Sequence, residues 1–176
     1  FAQELIDAVM QQTGITATAG IGSNLFLAKV ALDVTAKHSP DNIGILDERS
    51  FKETLWHHVP LTDIWGIGPG IAARLARYGV TDLAGIAGMS KRVLFREFGA
   101  NAEFLIDHAN GIEPCTMAQI KNYKAKTTGI GNGQVLACGY SYADAKLVLQ
   151  EMIDGLVLDL LEKHAVAGGI SLSVGY

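Results

Sequence analysis

The chain has 176 residues, 49% of them hydrophobic, and a formal net charge of −4. That suffices for one buried core or two small ones, and 20 glycines against 4 prolines fit a globular chain with many helix stops rather than a disordered one. Apolar runs are broken before membrane-spanning length, no basic segment followed by an apolar stretch marks a secretion signal, and Cys115 and Cys138 lack the clustered partners of a zinc site, so a soluble, cytoplasmic protein with free thiols and no membrane association is expected. Phe1 stands where Met would, which points to a piece of something longer.

Phe1, Leu5, Ile6, Val9 and Met10 recur at helical spacing and predict an amphipathic helix ending at Thr13-Gly14. Ile15 to Ile21 is β-branched or small throughout and reads as a buried strand. Ser23 is the expected cap of a helix through Leu25, Leu27, Ala28, Ala31 and Leu32, and a short strand follows from Ile43 to Leu46. Ser50 and Glu53 have the spacing of a capping box for a helix reaching about His58. From Pro60 to Gly111 short helices alternate with glycines, with Gly79 at a left-handed stop and Ser90 and Asn101 as N-caps.

Glu113 to Lys126 has little periodicity and reads as a basic linker. A strand is expected from Thr127 to Leu136, then a long helix opened by Ser141 and Asp144, with an apolar face through Leu149, Met152, Ile153, Leu156, Val157, Leu160 and Leu161. Ile170 to Tyr176 alternates strictly, as a half-buried strand does.

The most informative stretch runs from Leu61 to Leu75: a short helix, the turn Gly66-Ile67-Gly68, and a second helix of small residues through Pro69, Gly70, Ile71 and Ala72. This is the pattern of a helix-hairpin-helix. Its glycines permit a tight turn and close approach of another surface, and the unpaired amides at the start of the second helix suit a phosphate oxygen. Ile67 is expected to plug the two helices together, with Arg74 and Arg77 reaching neighbouring phosphates. Between Gly66 and Lys126 eight basic residues stand against five acids, leaving +3 in a chain that is acidic overall. Lys121, Lys124 and Lys126 extend the candidate DNA-binding set. Backbone contacts of this kind hold duplex DNA without reading sequence. An ordinary glycine-rich helical corner is the plainer alternative.

Gly20-Ile21-Gly22-Ser23-Asn24 with Leu27-Ala28-Lys29-Val30-Ala31 is similar to the end of the palm in Y-family (translesion) DNA polymerases. The hairpin follows at the distance of their thumb, and Leu94-Phe95-Arg96-Glu97-Phe98-Gly99 resembles the thumb's second half. The resemblance implies an α+β chain: the tail of a mixed α/β palm layer over 1–59, a small all-helical thumb over 60–112, a basic linker over 113–126, and an incomplete β-α-β little-finger unit over 127–176. It departs from the family where Leu25 follows Asn24 in place of a lysine, and where Ala36 to Gly44 is longer than the corresponding stretch.

What the resemblance implies for function is a DNA-repair enzyme that adds deoxynucleotides to a primer end across damaged template. Lys37 matches the lysine that touches the incoming triphosphate. The carboxylates that hold two Mg²⁺ ions in relatives come from strands upstream of Phe1, so no catalytic or metal-ligating residue is assigned here and the chain alone is expected to be inactive. Primer-template duplex, dNTP and a sliding clamp are the implied partners. The hairpin alone also fits a non-catalytic DNA-binding module of a repair scaffold or nuclease, or a corner that binds protein.

Overall fold

The computed structural model describes residues 1–125 and 129–175. It is helix-rich with one small parallel sheet, and it divides into a unit from Phe1 to Tyr123 and a second from Lys124 onward.

In the first unit, α1 (Ala2–Thr13) ends at Gly14 as expected, and there φ is 70°, in the left-handed region. Strand β1 covers only Ala19–Gly22, pairing in parallel with β2 (Ile43–Leu46); Ile15 to Thr18, expected in the strand, lie outside it because β2 offers partners to four residues alone. Between the strands, α2 (Leu25–Val30) continues through a π turn (Ala31–Thr35) and a 3₁₀ turn (Ala36–His38). The strands lie close against this helical segment. A Cβ at Gly20 would stand 2.1 Å from the Ala28 carbonyl oxygen, one at Gly22 2.2 Å from the Ala28 nitrogen, and one at Gly44 2.3 Å from the Ala31 carbonyl oxygen. Glycine is required at all three by packing.

The cap of α2 is Asn24, not Ser23: its Oδ1 accepts the Leu27 amide at 2.9 Å. The capping box of α3 (Glu48–Thr54) likewise joins Asp47 and Ser50 rather than Ser50 and Glu53, one turn earlier than expected; Glu53 instead pairs with Arg49.

Beyond Pro60 come a single 3₁₀ turn (Leu61–Asp63) and then α4 (Pro69–Ala76), α5 (Leu83–Gly88), α6 (Lys91–Phe98) and α7 (Asn101–Ala109). The first arm of the hairpin is therefore shorter than a full helix. Gly79 has a φ of 71°. Ser90 stands at the start of α6 without a side-chain bond, and Ala100 rather than Asn101 occupies the cap position of α7. One core joins these helices to the sheet layer, running from Phe26, Leu27 and Phe51 through Ile64, Leu75 and Leu83 to Leu94 and Leu105.

Two side chains close the unit over long sequence distances. Asn24 Nδ2 donates to the Gly111 carbonyl at 2.8 Å, and Trp56 Nε1 to the Ala109 carbonyl at 2.8 Å, so the carbonyls at the end of α7 are satisfied by residues far upstream. The segment read as an aperiodic linker contains α8 (Met117–Asn122), opened by a capping box of Thr116 and Gln119.

The second unit is a lone helix, α9 (Tyr142–Glu162), whose N-cap is Ser141 as the sequence predicted. The described residues 129–136 and 170–175 form no strand, so the expected β-α-β unit is not built. Three glycines weaken the first segment, and a strand without a stable neighbour lacks the ladder that would fix it. Thr127, Thr128 and Tyr176 lie outside the described residues.

Candidate nucleic-acid interface

The hairpin turn is built by alternation of inward and outward residues. Ile64 and Ile67 are buried, and the Ile67 amide donates to the Ile64 carbonyl at 3.0 Å. Ile67 thus plugs the turn, and its side chain faces the core rather than a ligand. Gly66 has a φ of 89°, a conformation that a side chain strains; Gly68 (φ −82°, ψ 173°) is the N-cap of α4, followed by Pro69 at the first helical position.

Gly66, Gly68 and Gly70 are exposed, and a Cβ on any of them would meet nothing within 4 Å. Among the described residues none of the three amides donates a hydrogen bond within the chain. Gly68 accepts at its carbonyl from the amides of Ile71 and Ala72, both at 3.0 Å, which completes the first turn of α4. Ile71 and Ala72 pack half-buried against the core.

The basic residues divide. Arg74 Nη1 donates to the Glu97 carbonyl at 2.7 Å, and its guanidinium lies 4.4 Å over the Phe98 ring, so it ties α4 to α6. Arg77 is exposed at the end of α4. Lys121 is exposed on α8, Lys124 is exposed at the start of the second unit, and Lys126 lies outside the described residues. Beside Arg74, Tyr78 donates to Glu97 Oε1 at 2.7 Å and accepts from Arg96 Nη2 at 3.1 Å. The Tyr78 hydroxyl, with Arg96 beside it, holds the Glu97 carboxyl below its usual range.

Lys37 sits in the 3₁₀ turn after α2 and lines a cleft of about 460 Å³ with Asp33, His38, His58, Thr62 and Asp63. A second cleft of about 470 Å³ shares Asp33, Thr62 and Asp63 and extends to Trp65, Gly66 and Gly68. Lys37 and the hairpin glycines therefore line adjoining clefts. Both shared acids have cationic or imidazole partners: Asp33 with Lys29 at 2.7 Å and Asp63 with His58 at 2.9 Å. His57 pairs with Asp82 at 2.8 Å. Among the described residues no three His, Cys, Asp or Glu side chains come together as a group that could hold a metal ion.

One residue that the sequence did not single out stands behind the hairpin. His108 is buried, stacks on Phe26 with ring centroids 4.0 Å apart, and sets Nε2 3.0 Å from Glu113 Oε2. Its burial follows from the inward face of α7. Its partners come from remote positions, and no local pattern marks them.

No family model matches the chain. Among curated proteins, UvrX of Bacillus subtilis (strain 168) is 28% identical over 182 residues, covering 99% of this chain and 42% of UvrX. The DNA repair protein homolog YobH of the same organism is 28% identical, over 99% of this chain and 80% of YobH. DNA polymerase IV 2 of that organism is 31% identical over 155 residues, 86% of this chain and 36% of the relative. The solved insertion ternary complex of Dbh DNA polymerase superposes with a TM-score of 0.53 at 27% identity, over 64% of this chain and 33% of that one. Relatives and fold agree on the class: the chain is related to a region of the Y-family DNA polymerases. It spans less than half the length of UvrX and of DNA polymerase IV 2, and most of the length of YobH.

Proposed function

We propose that this chain is the duplex-gripping part of a translesion DNA polymerase, and that it holds primer-template DNA by its phosphates at the hairpin. The observation that carries the reading is the open space around Gly66, Gly68 and Gly70. At Gly68 neither a positive φ nor a neighbouring atom demands glycine, and at Gly70 a glycine weakens the helix relative to alanine by up to about 1 kcal/mol. A residue that is neither needed by the turn nor crowded by the chain is explained by close approach from outside. Free amides at the positive end of α4 give that approach an anionic partner. Arg77 adds positive charge at the exposed end of α4, Lys121, Lys124 and Lys126 are further phosphate contacts suggested by the sequence, Arg74 supports α4 through α6, and Pro69, Ile67, Ile71 and Ala72 shape the turn.

In the parent enzyme, Lys37 faces the incoming dNTP across the cleft that adjoins the hairpin. The carboxylates for Mg²⁺ come from outside this chain, and the chain alone extends no primer. The names of the relatives, DNA polymerase IV and Dbh DNA polymerase, support the reaction class.

The test is duplex binding by the purified chain at several salt concentrations. With three to five phosphates contacted, log K falls against log salt with a slope of about −3 to −4.5, without sequence preference. Gly68→Val keeps an extended backbone that valine favours, yet spaces the amides from phosphate and lowers affinity about tenfold. Arg77→Ala flattens the slope by about one unit. Salt-independent binding, or a folded Gly68→Val chain that binds like the parent, sinks the reading.

A further inference from the structure

The turn that carries the glycines also carries an aromatic side chain left out of the core. Trp65 is 51% exposed, although Ile64 before it and Ile67 two residues on are 1% and 5% exposed. The chain's other tryptophan, Trp56, packs against the core and donates its indole N–H to Ala109. Trp65 is nevertheless supported from behind: its ring centroid lies 5.9 Å from that of His108, which is itself fixed between Phe26 and Glu113. A large apolar surface is thus held in place beside the open glycines, on a cleft that it shares with Asp33, Asp63, Gly66 and Gly68.

The charges around this cleft select what faces the ring. The amides of Gly66, Gly68 and Gly70 favour a phosphate on their side, whereas Asp33 and Asp63, already paired with Lys29 and His58, offer one no donor on theirs. Along a nucleic-acid strand the group next to a bound phosphate is an uncharged sugar. We infer that Trp65 is a DNA-contact residue, its exposed indole packing on the deoxyribose next to the phosphate held at the glycine amides. It contributes apolar, salt-independent binding to a clamp otherwise made of charge and hydrogen bonds. This inference rests on the duplex-clamp reading, and the experiment separates the two.

The full chain is titrated with a short mixed-sequence duplex, following anisotropy of a label on the DNA and acrylamide quenching of tryptophan emission. Duplex is expected to shield the parent's tryptophan emission from acrylamide. Trp65→Ala is expected to weaken binding about five- to tenfold with an unchanged salt slope, and to abolish the shielding. Trp65→Phe, which keeps a ring against His108, retains most of the affinity; melting curves of both variants separate lost contact from lost fold, and the parent's shielding needs no variant. If the parent binds duplex but quenching does not change, or folded Trp65→Ala binds as tightly as the parent, Trp65 is not a contact and the clamp stands without it. If the parent binds no duplex even at low salt, clamp and contact fall together.

Discussion

A Cβ added at Gly20 would sit 2.1 Å from the Ala28 carbonyl oxygen, and one added at Gly68 would touch nothing. The two glycines look alike in sequence and answer to different constraints. At Gly20 the neighbour is helix backbone, which does not yield as a flexible side chain does, so Gly20→Ala is expected to destabilise by about 3 kcal/mol or more. Gly68→Ala, in an extended conformation with open space around it, is expected to change stability by about 1 kcal/mol or less. Urea unfolding of the two variants checks the contrast, and equal losses would contradict this account of the turn. Arg74 shows the same need for three dimensions: it sits on the helix where a phosphate contact is anticipated, yet its guanidinium is engaged by Glu97 and Phe98.

At the scale of elements, helix entry points decide much of the architecture, and Asp82 is a cap that also holds a remote partner. Its Oδ1 accepts the Gly85 amide at 2.7 Å to open α5, while Oδ2 meets His57 at 2.8 Å. The His57 bond, and after it the Gly85 amide, hold the Asp82 carboxyl below its ordinary value of 3.8. A folded-state value below the unfolded one means that the stabilisation is present above that ordinary value and disappears as pH falls through the folded one. Asp82→Ala is therefore expected to lose about 1–2 kcal/mol at neutral pH, with the gap to the parent closing as the carboxyl protonates. Denaturation series at pH 7 and in the acid range test this; a gap independent of pH would assign the loss to packing alone. Ser23 beside Asn24, and Ser50 one turn after Asp47, show why such caps are hard to place from sequence. Polar residues this near one another have similar capping power, and Asn24 is the one whose second bond, to Gly111, is also made.

Across the whole molecule, every buried residue among those described belongs to the unit ending at Tyr123. Within the second unit α9 buries no side chain, and Leu147, Leu158 and Leu161 on it are more than half exposed. A chain shortened to Phe1–Tyr123 is accordingly expected to melt cooperatively, with a Tm within about 4 °C of the parent. Loss of the cooperative transition on truncation would show that the first unit depends on the second.

By itself the sequence determined the features that depend on neighbours a few residues away. These are the helix ending at Gly14, the strand Ile43–Leu46, the left-handed Gly79, the glycine turn leading into α4, and the start of α9 at Ser141. The motif order along the chain also carried the likeness to Y-family polymerases, which the relatives support. Tertiary structure decided what depends on remote partners: β1 stops where β2 ends, and Ile67 turns inward while Trp65 stays out. Asn24 bonds Gly111 across 87 positions, and His108 stacks on Phe26. The physical reason is range. Helical periodicity, caps and positive φ are satisfied within one turn of chain, whereas a strand needs a neighbour to complete its ladder and a side chain needs a packed surface to choose its face.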